Sequence, residues 1–436
     1  MSMSQSVWSR EVRLPGFEKL HGTVHTDVLV IGGGLCGVLC AYFLKNAGVD
    51  CLLVEADTIG SGVTKNTTAK ITSQHRLIYD RLMRTKGREI AAAYLWANEK
   101  AVSEYRRLAA QIDCDFEDRD SFVYTLSDVA KIEAEVAAVN ALGIPAEFAE
   151  HVPLPLDVRG AVRFPHQAQF HPLKFLAGIA AGLNIREHTF IRDLAPHRAW
   201  SDGGEIHADK IIVATHFPFL NKHGSYFLKL YQDRSYVIAL ENAADVGGVY
   251  VDEAAEGMSF RNYGELLLVG GGSHRTGKRG GSYQELREFA TACYPDAQEK
   301  YCWAAQDCMS LDGLPYVGQY SAHTPELFAA SGFGKWGVTG SMAAARLLCD
   351  QVLGIQNEWS SVFSPSRSML TPQLLVNGWE AVKNLLTPTT KRCPHLGCAL
   401  KWNPIEHTWD CPCHGSRFEE DGTLIDNPAT GDANIK

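Results

Sequence analysis

The sequence predicts an α/β fold: a parallel, dinucleotide-binding sheet interleaved with an antiparallel sheet, and a small all-β segment at the C-terminus. Three observations predict it. A buried-strand pattern runs into Gly32-Gly-Gly34-Leu-Cys-Gly37 and a helix, and Glu55 ends the next strand eighteen positions after Gly37. A long middle stretch is rich in short β-patterned runs. Near the C-terminus Cys393 and His395 form Cys-x-His, Cys411 and His414 form Cys-x-x-His, and fifteen residues separate His395 from Cys411.

A chain of 436 residues exceeds one ordinary domain, so two large lobes and an appendage are expected. A net charge of −9 argues against nucleic acid and against an anionic membrane as partner. No run of about 18 apolar residues marks a transmembrane helix. The N-terminus lacks an apolar leader, which leads to a cytoplasmic expectation. Six of the twelve cysteines lie at or before Cys302 without metal-like spacing and read as buried small hydrophobes.

In chain order, residues 1–25 read as a lead-in with little period. Thr26–Ile31 is a continuous apolar run, a strand buried on both faces. Gly32 permits a tight turn, Gly34 lets the backbone approach a pyrophosphate, and Gly37 lets the following helix (37–47) pack closely. That helix start offers amides and a dipole to the diphosphate, and Glu55, after the strand Val49–Val54, can accept ribose hydroxyls. NAD and FAD both remain open at this point. A helix or helix pair is expected over 82–112 and a helix over 128–142. Further on come a helix at Phe170–Leu183, a strand at Ile185–Ile191 and a strand over 207–216. Short strands follow at Tyr236–Leu240, Gly248–Val251, Met258–Arg261 and Glu265–Val269. A last parallel strand, Leu327–Ala330, leads into a glycine loop and a helix through Leu353.

The segment Ile59–Thr72, small, polar and Gly-rich, resembles the flavin-contacting stretch of the D-amino-acid oxidase superfamily, the glycine-oxidase-like amine oxidoreductases. Pro165, Ala168 and Pro172, the Ala214-Thr215 strand end and the loop Gly332–Ser341 resemble further motifs of that superfamily. The resemblance covers about residues 24–360. It implies non-covalent FAD held by Gly32, Gly34, Gly37, Glu55, Ser61, Thr64, Thr68, Ala69, Ile191, Ala214, Thr215, Gly313, Gly332, Gly334, Lys335, Gly337 and Thr339. It implies FAD-binding parts at about 26–80, 160–218 and 308–355. Substrate-domain parts would lie at 81–159 and 219–307, with an antiparallel sheet roofing the site. Lys335 stands where glycine-oxidase-like members carry an Arg for the substrate carboxylate; a solvated lysine, or one helping the flavin pyrimidine, is the alternative. Lys70, His75 and Trp336 are candidates to face the isoalloxazine. Arg234 is a candidate in the roof, although it also reads as a surface or packing residue. No catalytic base is named.

Two thiolates and two imidazoles at the C-terminal spacing suit a [2Fe–2S] centre, or a tetrahedral zinc ion. The whole stretch resembles the Rieske arrangement, with Cys393, His395, Cys411 and His414 as ligands. That resemblance implies a disulfide between Cys398 and Cys413, a hydrogen bond from Ser416 to a cluster sulfur, and Phe418 where high-potential members carry Tyr. Residues 361–388 read as a linker with a short helix. The Rieske segment, 389–436, is short enough that the flavin lobe is expected to support it.

Together the resemblances imply an FAD- and [2Fe–2S]-dependent oxidoreductase. It would oxidise an amine or amino acid at the C–N bond by hydride transfer. It would pass electrons singly to a carrier such as a ferredoxin. The same wiring run backwards as a reductase, and a redox-sensing protein without catalysis, are the alternatives. A Rieske oxygenase ranks low, because no second set of two His and a carboxylate is visible.

Overall fold

A computed structural model describes residues 5–221 and 223–435. Its first sheet carries the glycine turn. Gly22–Ile31 lies between Cys51–Val54 and Gly204–Val213 with all three parallel, Ile31 pairing Val54 on one side and Val213 on the other. Leu327–Ser331 adds in parallel to Gly204–Val213, and Tyr316–Gln319 closes that edge antiparallel. The strands are apolar where helices cover the sheet: Val28–Ile31, Cys51–Val54 and Ile211–Val213 are fully buried runs, whereas the first halves of Gly22–Ile31 and Gly204–Val213 are polar. Leu35–Asn46 and Gly337–Val352 are among those helices, both buried along most of their length.

The second sheet has nine strands in the order Gln298–Ser310, Leu230–Glu241, Leu266–Arg275, Ser259–Tyr263, Val249–Asp252, Glu117–Thr125, Gly160–Gln169 and Lys70–Ile71, with Glu147–Ala149 branching from Gly160–Gln169. Helices Tyr79–Lys86, Arg88–Ala109 and Val129–Ala141 match the expected helical periods. The cluster segment is a four-stranded antiparallel sheet, Lys401–Asn403, Thr408–Asp410, Arg417–Phe418 and Leu424–Asp426. Among the described residues no helix is long and apolar enough to cross a membrane.

Several expectations need correction. The roof strands are not all short: Leu230–Glu241 has 12 residues and Gln298–Ser310 has 13. Residues 160–169, read as part of the flavin lobe, form a strand of the roof sheet paired with Glu117–Thr125. The strand expected at Ile185–Ile191 breaks into Ile185–Arg186 and Ile191–Ala195. The break has a cause: Glu187 turns inward to accept from Ile59 N (2.7 Å) and Phe17 N (2.9 Å), and His188 takes φ +50°. The lead-in is not loose either. Trp8 is fully buried, and its indole N–H donates to Thr67 O at 2.8 Å. The short helix expected in the linker is present as Pro372–Leu386, and its Asn377, Glu380 and Asn384 are buried.

Candidate active site and metal centre

The glycine turn is built by close approach. Gly32 has φ +112°, and a Cβ there would lie 2.6 Å from Ala214 O; a Cβ on Gly37 would lie 1.9 Å from Gly32 O. Only glycine lets the two strand ends and the helix meet so tightly. Glu55 Oε2 accepts from Gly33 N at 2.6 Å and Oε1 from Asp57 N at 2.9 Å. Burial raises its pKa against these amides. Each carboxylate oxygen keeps a second lone pair for a ribose hydroxyl. Thr64 Oγ1 accepts from Leu35 N at 3.0 Å, at the start of the helix.

The flavin segment is tied down from three directions. Trp8 holds Thr67 O, Trp303 Nε1 donates to Asn66 O at 2.9 Å, and Arg261 Nη1 donates to Thr68 O (2.8 Å) and Ala69 O (2.7 Å). Arg261 is fully buried; its guanidinium positions this segment and is spent on those carbonyls. Thr339 Oγ1 accepts from Thr72 N (3.0 Å) and donates to Thr72 O (2.9 Å), joining the glycine loop to the same segment. Gly332, Gly334 and Lys335 all take positive φ ahead of the helix that begins at Gly337. Ser61 lies on the partly exposed face of the first flavin loop, and Ile191 is buried at a strand start. Gly313 is exposed and lies next to Arg81.

Lys70 and Lys335 are brought to one space. Burial, then the charges of Arg261, Arg76 and Lys335, push Lys70 down to about 7. Lys335 Nζ donates to Ser273 Oγ at 2.6 Å and lies 3.6 Å from Asp307. Asp307 pairs directly with Asp233 across adjacent strands. Burial raises the Asp233 pKa, with Lys335 acting against it. His75 is a correction. Its Nδ1 accepts from the Tyr94 hydroxyl (2.7 Å) and its Nε2 donates to Thr72 O (2.9 Å), so neither nitrogen is left for a substrate. Burial lowers it to about 3, and Trp336, half-buried, stacks on it at 4.8 Å. Arg234 is the second correction: it is buried and ion-paired with Glu406 of the cluster segment, with Nε 2.8 Å from Oε2.

At the C-terminus the donors gather in pairs. His395 Nδ1 and His414 Nδ1 face each other at 3.2 Å. The other nitrogens are taken by acceptors: His414 Nε2 by Phe227 O (2.9 Å) and His395 Nε2 by Asn221 Oδ1 (2.8 Å). Those Nε2 atoms therefore carry the hydrogens, and burial keeps both rings neutral, at about 4 for His395 and about 3 for His414. Two lone pairs then point at one another, an arrangement that a metal ion resolves. The thiol of Cys393 donates to Cys411. With the backbone N–H groups of His414, Cys413 and Gly415, this holds Cys411 below its ordinary pKa despite burial. Such amides suit anionic sulfur. Among the described residues, the group of such donors lying within 4.8 Å of one another is Cys398, Cys411 and Cys413, not the four ligands. Cys393 with Cys411 and His395 with His414 thus form a sulfur pair and a nitrogen pair, which fits two irons better than one zinc. Cys398 and Cys413 are disulfide-bonded, as the resemblance implied. Ser416 hydrogen-bonds Cys393, and its Oγ accepts from Ala429 N at 3.0 Å.

Sequence reasoning missed the junction between the two sites. Gln232 Nε2 donates to His414 O (2.8 Å) and Asn427 O (3.1 Å), and Gln306 Nε2 to Gly415 O (2.8 Å). Arg275 donates to Pro412 O (2.9 Å) and Cys413 O (3.0 Å). Asn427 Nδ2 donates to Phe217 O (2.8 Å), in the segment that follows the Ala214-Thr215 motif. The roof strand Leu230–Glu241 thus presents Asp233 toward Lys335, and Gln232 and Arg234 toward the cluster segment.

Residues 27–351 match the family model for FAD dependent oxidoreductases, and residues 371–435 match that of the Rieske [2Fe-2S] domain. The second match begins inside the stretch read as a linker. A Bacillus subtilis protein named for a Rieske 2Fe-2S iron–sulfur centre, YhfW, is 32% identical over 98% of this chain and 96% of its own length. The crystal structure of glycine oxidase from Geobacillus kaustophilus superposes with a TM-score of 0.67 at 20% identity, covering 79% of this chain and 99% of that one. L-proline dehydrogenase from P. horikoshii superposes with a TM-score of 0.65 at 16% identity, covering 81% of this chain and 98% of that one.

Proposed function

The chain belongs to the family of FAD dependent oxidoreductases and ends in a Rieske [2Fe-2S] domain, and from that premise we propose that it is an amine dehydrogenase. Bound FAD would supply a hydride acceptor for the C–H beside nitrogen, and the cluster a route by which electrons leave one at a time to a carrier protein such as a ferredoxin. The observation that carries this reading is the placement of the two imidazole edges. The two Nε2 atoms are held by Asn221 and Phe227, in the segment that follows the Ala214-Thr215 motif, and Phe217 of that segment lies edge-on to both rings, so the nitrogen side of the cluster site packs on the chain leaving a flavin motif.

The chain's own residues favour an amine over an α-amino acid. Lys335, the candidate for a substrate carboxylate, already has Ser273 and Asp307 as partners. Asp233 and Asp307 stand side by side on the same face. Two carboxylates attract an ammonium group and repel a carboxylate. Lys70, neutral above about 7, can take the proton that a substrate ammonium must lose before its C–H is oxidised.

The test is anaerobic. Purified protein is mixed with a panel of primary and secondary amines and amino acids, while flavin absorbance and the cluster EPR signal are followed together. Flavin bleaching by an amine followed by the Rieske signal supports the dehydrogenase. If no amine bleaches the flavin, but a reduced carrier fills the cluster and then the flavin, the protein runs as a reductase and the amine assignment falls.

A further inference from the structure

The helix Pro372–Leu386 is mounted inside out. Its inward face is polar: Asn377, Glu380 and Asn384 are buried. Asn377 accepts from Arg275 Nη1 at 2.9 Å, Glu380 pairs with Lys278, and Asn384 O accepts from Ala399 N at 3.0 Å. Its outward face is apolar. Leu375, Trp379, Val382 and Leu386 follow at spacings of four, three and four, one stripe of a helix, and are 77%, 67%, 49% and 78% exposed. Leu370, just before the helix, is 89% exposed. A contiguous apolar face of this kind marks a docking surface.

We propose that this face lies on the surface of an anionic lipid bilayer. The charge around it fits. From Lys383 to Ile405 the sequence holds four Lys or Arg and no acid, and Glu380, within the helix, is buried. Lys383 flanks the stripe, and Lys278 and Arg279 are exposed beside the helix. The overall charge of −9 hides this basic region. Fifteen residues make a helix of about 22 Å, too short for a hydrocarbon core of about 30 Å, so it lies in the interface rather than crossing. A second copy is disfavoured, because two heptads are a short seam and the same cations would face each other. A soluble partner is disfavoured because the stripe offers one polar atom, the Trp379 indole N–H, whereas protein interfaces carry about one hydrogen bond per 100–200 Å². The inference stands apart from the redox assignment.

Flotation of the purified holoprotein with vesicles tests it, comparing phosphatidylcholine alone with phosphatidylcholine containing phosphatidylglycerol. The wild type floats with the anionic vesicles, and less so in high salt. The double variant Leu375→Ser/Trp379→Ser binds about a hundredfold more weakly, about tenfold per side chain. Its melting temperature and flavin absorbance are unchanged, since both side chains face solvent. Failure to float with phosphatidylglycerol, or a double variant that floats like the wild type, overturns the proposal. So does a dimer, or a complex with an acidic carrier protein, that the double variant abolishes while vesicle binding is absent.

Discussion

Asn427 of the cluster segment donates its side-chain amide to the backbone carbonyl of Thr215, the end of a flavin motif, at 2.6 Å. The contact joins the two cofactor sites without a linker between them. Asn427 O in turn accepts from Gln232, a roof residue.

Asn427→Ala removes both of its amide donations and leaves the Thr215 and Phe217 carbonyls without them. The expected cost is about 1–3 kcal/mol. The cluster EPR spectrum stays as in the wild type, while anaerobic stopped-flow shows slower arrival of flavin electrons at the cluster. An unchanged transfer rate would remove this junction from the route.

Arg234→Ala leaves Glu406 with Arg417 as its ion-pair partner and Asn403 as a hydrogen-bond donor. The pair is buried on both sides, at 7% and 14% exposure. Breaking it should lower stability by about 3 kcal/mol, read from urea midpoints. Arg234→Met/Glu406→Met should recover much of that, because packing replaces two desolvated charges.

Cys393→Ser should abolish the Rieske EPR signal and retain FAD, since the flavin cradle uses none of the cluster ligands. Loss of flavin from the variant would show the two sites to be one folding unit. Phe418, fully buried beside the ligand cysteines, provides a companion test. Phe418→Tyr adds a hydroxyl donor and should raise the midpoint potential in a redox titration.

Lys70 predicts a pH dependence. Its folded pKa, about 7, lies below the unfolded value of 10.5. Between those pH values the unfolded chain binds a proton that the folded chain does not. Stability from this group therefore rises with pH across the window and is flat below it. Lys70→Met should flatten that slope in urea titrations. The rate of flavin bleaching by an amine should break near pH 7 in the wild type and lose the break in the variant.

Asp307→Asn should weaken amine binding by about tenfold and leave carboxylate-bearing amines less affected. The apparent Kd in flavin bleaching measures it. Equal losses for both substrate kinds would point to a structural role for the Asp307–Lys335 pair.

The glycine turn, the place of Glu55 at the strand end, and the cysteine and histidine pairs of the C-terminal segment were legible because each depends on local spacing. The junction was not. Gln232, Asp233 and Arg234 interrupt an apolar strand with three polar residues, and Gln306-Asp307 does the same in its neighbour. That signature marks a strand with partners on both faces, but one sequence does not say what covers each face. His75 reads as a site residue from its position, yet its buried partners Tyr94 and Thr72 come from tertiary packing. The helix Pro372–Leu386 is amphipathic on paper. A wheel does not tell which side meets the protein, and here the apolar side faces out.

The alternation along Leu230–Glu241 has a consequence for how such a protein can change. Side chains at successive positions serve different cofactor sites, so a single inserted residue would exchange the two sets at once. An insertion between Gln232 and Arg234 would therefore disturb both sites together, whereas a substitution in either set touches one of them. The period of one β-strand thus ties the flavin-side and cluster-side contacts to a common register.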